Sequence, residues 1–143
     1  MNNYRPVCSS SPIGKIVEKV IANRMIDFLE NLNIFSTTQY GFRKNMGTET
    51  ALINYINYIQ NQLNNKKYVI SIFLDLSKAF DMINHNILKV KLKHYGFRGN
   101  FLNFLLDFLK DRQYFVSANG AISDTKTVNI GVPQGSILGP LLF

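Results

Sequence analysis

The sequence predicts an α+β domain in which helices pack against a few short strands, and three observations point there. Apolar residues recur at helical spacing over the first part of the chain. A β-branched and aromatic run, Tyr68 to Asp75 (YVISIFLD), then breaks that period. Further on, Asn119-Gly120 sits between two strand-like segments. Helices flanking few strands fit either an α+β or an α/β arrangement.

Taken in order, Ser11-Pro12 reads as an N-cap followed by proline at the first helical position. Ile13, Ile16, Val17, Val20, Ile21, Phe28, Leu29 and Leu32 then form one stripe, expected to be buried, with Lys15, Lys19 and Arg24 mostly off it. Thr48 is placed to cap a second helix with Leu52, Tyr55, Ile56, Ile59 and Leu63 on its apolar face. Tyr68 to Asp75 reads as a central strand closed by a carboxylate. Asn86 to Tyr95 is a helix ended by Gly96, and Phe101 to Lys110 another, capped by Asn100. Arg112 to Ala118 and Thr125 to Ile130 form a hairpin, and Gly131 to Gly135 is a loop leading into a short apolar tail.

Composition narrows the class. The chain has 143 residues, 46% of them hydrophobic, with 11 Phe and 7 Tyr, which suits a packed interior rather than disorder. The polar start, Met1 to Ser11, has no signal-peptide core, and no apolar run reaches the length of a bilayer. A single cysteine, Cys8, excludes an internal disulfide, and no Cys/His cluster has zinc spacing. An intracellular protein without a membrane partner is expected. Sixteen Lys and Arg against nine Asp and Glu give a net charge of +7, which suits a polyanionic partner or, as plainly, a basic surface with none.

Three places can carry chemistry. Asp75, at the end of an apolar run, must pair, meet solvent or bind a cation, and a hard divalent ion usually takes more than one carboxylate. The plainer reading has Asp75 capping the next turn and Asp81 pairing with Lys78. In Gly131-Val132-Pro133-Gln134-Gly135-Ser136, two glycines let the backbone approach a flat ligand or a phosphate, and Ser136 can start a helix. The alternative is a tight turn. Gln39-Tyr40-Gly41-Phe42-Arg43-Lys44 is either a stacking and phosphate site or a basic loop. His85 and His94 lack triad or metal spacing and read as helix-surface residues, and Cys8 has no activating neighbour in sequence.

The order of these segments carries a resemblance. Tyr4-Arg5-Pro6-Val7 with Lys15-Ile16-Val17-Glu18-Lys19 resembles the opening motif of reverse transcriptases from non-LTR retrotransposons. Gln39 to Arg43 resembles their next block, Phe73-Leu74-Asp75-Leu76-Ser77-Lys78-Ala79-Phe80-Asp81 their first metal motif, and Gly131 to Phe143 the block that follows. The likeness is greatest to the jockey-like group of insect mobile elements. Group II intron maturases are relatives, but the Phe73 to Asp81 segment leans towards the retrotransposons. Motifs in this order and spacing cover nearly the whole chain.

The resemblance implies a right-hand polymerase fold, with fingers over about 1–67 and 96–131 and the first part of the palm over about 68–95 and 132–143. It implies an RNA-directed DNA polymerase that adds deoxynucleoside triphosphates to a DNA primer on an RNA template, using two Mg²⁺ ions with Mn²⁺ as an alternative. By the same likeness Asp75 is the catalytic, metal-binding carboxylate and Phe80 the ring that blocks a ribose 2′-hydroxyl. Gln134 and Gly135 form the loop against the nucleotide, and Arg5 holds the triphosphate. Lys15, Arg43 and Lys44 are nucleic-acid contacts. These groups are expected to converge, with nuclear action for the parent element.

One departure matters. The family carries two more metal aspartates in an aromatic-Ala-Asp-Asp turn, followed by a thumb, and this sequence has no Asp-Asp pair. A truncated polymerase, inactive alone, is therefore expected; the competing reading is a non-catalytic basic remnant that binds nucleic acid.

Overall fold

The computed structural model describes residues 7–143. The described residues divide into two compact units, 7–27 with Lys78–Phe143, and Phe28–Ser77. Mixed helices and small antiparallel ladders bear out the α+β class.

Helix α1 covers Pro12–Asn31. Ser11 caps it as expected: its hydroxyl accepts from the Gly14 N–H at 3.1 Å and its carbonyl from the Lys15 N–H at 3.0 Å. The buried face differs from the predicted stripe. Glu18, Ala22, Met25 and Leu29 are buried, whereas Ile13 is 76% and Ile16 65% exposed, with Val17, Val20, Phe28 and Leu32 also open. Residues 18, 22, 25 and 29 are themselves at helical spacing. Leu29 belongs to the predicted stripe and is buried as expected, but the rest of the buried face lies to one side of it, since period alone admits two faces and hydrophobicity favours the more exposed one.

In the first unit, α3 (His85–His94) is capped by the Asn84 carboxamide, which accepts from the amides of Asn86 at 2.9 Å and Ile87 at 3.3 Å. Gly96 follows in the left-handed region (φ 97°), as the sequence suggests. Helix α4 spans Gly99–Leu109. Its N-cap position is Arg98 rather than Asn100, so the helix starts two residues earlier than expected, at Gly99 (φ 57°). Leu88 and Leu92 of α3 and Leu102, Leu105 and Leu109 of α4 are buried, each stabilising the fold by about 1.5–3 kcal/mol.

A long hairpin follows. Strand β1 (Arg112–Tyr114) pairs antiparallel with β4 (Lys126–Val128), and β2 (Ser117–Ala118) with β3 (Ala121–Ile122). Asn119 (φ 50°) and Gly120 (φ 78°) form the two-residue turn expected of Asn-Gly. The register slips by one residue between the ladders, from Tyr114↔Lys126 to Ser117↔Ile122. The Ser123 hydroxyl takes up the slack by accepting the Val116 N–H at 2.9 Å. A last short helix, α5, covers Gly139–Leu142.

The second unit holds α2, Thr48–Asn64. Gly47, not Thr48, occupies its N-cap, and no side chain caps it. The expected apolar face is not covered: α2 has no buried residue, and Leu52, Ile56 and Leu63 are exposed. Nor do residues 68–75 form a strand. A ladder needs a neighbour, and the strands among the described residues pair only with one another. Ile70, Ile72, Phe73 and Leu74 are therefore exposed, held at one point by the Tyr55 hydroxyl on the Ser71 hydroxyl (2.5 Å) and the edge of Tyr55 against Phe73 (5.8 Å).

Candidate functional site

The first unit brings two of the sequence motifs together. Ala79–Met82 is a single 3₁₀ turn, entered through Lys78 in the left-handed region (φ 54°). The Gly131–Gln134 loop lies along it. The Gly131 N–H donates to the Ile83 carbonyl at 2.7 Å, and the Val132 N–H to the Phe80 carbonyl at 2.8 Å. The Gln134 amide nitrogen donates to an Asp81 carboxylate oxygen at 2.7 Å. His85 closes the set, its Nε2 2.7 Å from the Gly131 carbonyl.

Gly131 is required at this junction. Its φ is 83°, and a Cβ would stand 2.9 Å from the Asp81 Cα and from the Phe80 and Asp81 carbonyl oxygens. Backbone meets backbone there, so no rotamer relieves the clash.

The loop is also fixed from behind. Glu18 of α1, 6% exposed, accepts the Ile137 N–H at 2.7 Å and the Leu138 N–H at 3.3 Å. Its charge is thus met by two main-chain donors rather than by a cation. Ser136 does not start a helix; α5 begins three residues later. Instead its hydroxyl donates to the Pro133 carbonyl at 2.8 Å and accepts the Gly139 N–H at 2.9 Å. The Cys8 N–H donates to the Gln134 carbonyl at 2.8 Å, which ties the segment before α1 to the same loop.

Phe80 and Gln134 therefore stand on one hydrogen-bonded assembly, with Gly135 exposed beside them. The Phe80 ring stacks on Phe143, centroids 4.9 Å apart and planes at 22°. Asp81 binds Gln134 rather than Lys78, which overturns the simpler pairing. His85 is half-buried against the loop and not a free surface residue. Sequence spacing carries no sign of these last two contacts, nor of Glu18, because the partners lie 46 to 120 positions away.

The other candidates take no part in these hydrogen bonds. Lys15 is exposed on α1. Asp75, Arg43 and Lys44 belong to the second unit. Arg43 is engaged within its own loop, donating to the Ser36 carbonyl at 3.0 Å and lying 5.2 Å from the Phe35 ring centre. Lys44 and Asp75 are exposed. Arg5 lies outside the described residues. Among the described residues no group of three or more His, Cys, Asp or Glu can hold a metal ion. One exposed carboxylate does not make a centre for two Mg²⁺ ions, so the residues present do not by themselves fit that pair. No helix among the described residues is long and apolar enough to cross a membrane.

Comparison with known proteins agrees with the motif order. The family described as "Reverse transcriptase (RNA-dependent DNA polymerase)" matches residues 1–143. The chain is 35% identical to the RNA-directed DNA polymerase from mobile element jockey of Drosophila melanogaster, over 100% of this chain and 16% of that protein. The corresponding jockey protein of Drosophila funebris is 34% identical over 100% of this chain and 16% of its own length. The retrovirus-related Pol polyprotein from type-1 retrotransposable element R1 of Bradysia coprophila is 29% identical over 99% and 13%. The chain thus spans about a sixth of the jockey proteins it matches. No solved structure gives a significant match. By its match over the whole length and its likeness to non-LTR retrotransposon polymerases, this chain belongs to the reverse transcriptase family.

Proposed function

We propose that the chain is the fingers and first palm portion of a right-hand RNA-directed DNA polymerase, which adds deoxynucleotides to a DNA primer on an RNA template. The fingers take in residues 1–67 and 96–131, and the palm residues 68–95 and 132–143. The observation that supports it best is the joining of the Phe80 turn to the Gln134 loop, through Val132 N–H on the Phe80 carbonyl and Gln134 on Asp81. A site for an incoming nucleotide needs a sugar-facing ring and a base- or triphosphate-facing loop held in fixed relation, and rigid backbone hydrogen bonds provide that.

In this reading Phe80 excludes a 2′-hydroxyl, while Gln134 and Gly135 pack against the nucleotide. Arg5 holds the triphosphate, and Lys15, Arg43 and Lys44 meet the template and primer phosphates. Asp75 supplies one carboxylate to a two-metal centre of Mg²⁺ (or Mn²⁺), the others coming from an Asp-Asp turn that this sequence does not contain. Alone, the chain is inactive as a polymerase. The parent element acts in the nucleus.

The test is a chimera in which this chain replaces the matched residues of the Drosophila melanogaster jockey polymerase. Primer extension on an RNA template is expected from the chimera, and none from the chain by itself. A folded chimera that binds template and extends nothing would sink the polymerase reading. The second reading, a non-catalytic remnant that binds nucleic acid, draws on the +7 charge. Its signature is retained RNA affinity with no extension in the chimera.

A further inference from the structure

The proposed nucleotide loop depends on a residue that the family likeness assigns no role. We infer that Asp81 is the positioning residue for Gln134: its carboxylate takes one of the two amide N–H donors of Gln134 and so fixes which way round the amide stands, with its oxygen turned away from the carboxylate. The inference rests on the reading of Gln134 as a nucleotide contact.

Four observations support it. The Gln134 nitrogen lies 2.7 Å from the Asp81 oxygen, a short bond to an ionised acceptor and stronger than one between neutral groups. Both side chains are half-buried, so water competes less for the pair than at an open surface. Asp81 is itself fixed, being part of the 3₁₀ turn, with its N–H on the Lys78 carbonyl at 2.9 Å. The backbone of Gln134 is anchored separately by the Cys8 N–H at 2.8 Å. Main chain and side chain are thus held by different groups, and Asp81 determines only the second.

A free glutamine amide turns over readily and offers donor or acceptor alike. With its nitrogen committed to a carboxylate, the flipped arrangement would set amide oxygen against carboxylate oxygen, which is repulsive. Asp81 therefore selects one of the two orientations, in which the amide oxygen can accept from a ligand and the second N–H can still donate.

The experiment uses the 143-residue chain labelled with nitrogen-15. Its readouts are the side-chain amide signal of Gln134, assigned by loss in Gln134→Ala, and equilibrium binding of dTTP. Asp81→Ala is expected to move that signal to the range of free glutamine amides and speed its exchange with solvent. The same variant should weaken dTTP binding roughly tenfold, as one charge-assisted hydrogen bond implies. Asp81→Asn keeps an acceptor in the same place and should restore most of both, which guards against a variant that merely misfolds. Gln134→Ala with Asp81→Ala should bind no worse than either alone, since the two act as a unit.

The inference is overturned if the Gln134 signal is unchanged in Asp81→Ala. It is equally overturned if the signal is freed and dTTP affinity holds while Gln134→Ala loses it. Should Gln134→Ala itself bind dTTP normally, the nucleotide reading of the loop fails, and the amide signal still decides whether Asp81 holds Gln134.

Discussion

The Gln134 side chain donates to Asp81 at 2.7 Å across 53 positions of sequence, and this bond joins the two motifs that matter most in the chain. Asp81 closes the segment that starts at Phe73, and Gln134 is the centre of the glycine and proline loop. Neither residue explains the other locally. Their meeting follows from the closer fit beneath them, where Gly131 lets the loop backbone lie directly on the 3₁₀ turn.

That fit makes Gly131 the first test. Gly131→Ala combines a left-handed φ of 83° with a Cβ 2.9 Å from three backbone atoms, and should destabilise the unit by about 2 kcal/mol or more. Gly41→Ala, where a Cβ meets nothing within 4 Å, serves as the comparison and should change stability by no more than about 0.5 kcal/mol. Urea denaturation of both variants measures the difference. Equal stability of the two would show that the loop and turn do not pack as described.

Glu18 provides the second. Its carboxylate satisfies the amides of Ile137 and Leu138, and Glu18→Ala leaves two inward-facing N–H groups without an acceptor. A loss of about 2–3 kcal/mol is expected, with Glu18→Gln closer to the parent because its amide oxygen can still accept. Hydrogen exchange should rise first at the Ile137 and Leu138 amides. Uniform exchange across the chain in Glu18→Ala would argue against a local anchor.

How much of this was legible beforehand follows from the range of the interactions. Some local signals match the structure: Ser11 caps α1, Gly96 ends α3, and Asn119-Gly120 turns the hairpin, each determined by residues within four positions. Others do not, since Gly47 and Arg98 rather than Thr48 and Asn100 hold the N-cap positions and Ser136 starts no helix. Signals that need a distant partner fail more widely. The apolar period of α1 has two candidate faces, and the buried one, with Glu18 in it, was the less hydrophobic. Tyr68 to Asp75 has strand composition but no strand beside it among the described residues, so composition had nothing to pair with. At the site, Phe80, Gln134 and the glycine loop were legible as motifs, whereas Asp81, His85 and Glu18 hold them through contacts that no spacing rule encodes.

Nucleic-acid binding follows from charge. With sixteen Lys and Arg against nine Asp and Glu, the chain should bind single-stranded RNA and DNA weakly and without sequence preference. Affinity should fall steeply as salt is raised from about 50 to 200 mM, in proportion to the phosphates neutralised. Lys15→Ala and Lys44→Ala, both at exposed positions, should each lower the salt slope by about one unit. Filter binding or fluorescence anisotropy over a salt series measures it. A flat profile would remove the electrostatic account.

Catalysis separates the two functional readings, and it is tested in the jockey chimera. Asp75→Asn should abolish primer extension, a drop of about a thousandfold or more, while template affinity stays within about twofold. The substitution removes one negative charge, which if anything favours a polyanion, so lost binding cannot account for lost extension. Phe80→Ala addresses the other half of the site. Its ring is half-buried and stacked on Phe143 at 4.9 Å, so truncation opens space at the turn without touching the backbone bond from Val132. Ribonucleotide incorporation should rise about tenfold or more relative to deoxynucleotide, because nothing then fills the volume of a 2′-hydroxyl. The ratio of the two efficiencies is the quantity to measure, since a general loss of folding lowers both together. Near-normal extension by Asp75→Asn would remove the metal role from that residue. An unchanged sugar ratio in an active Phe80→Ala enzyme would remove the gate.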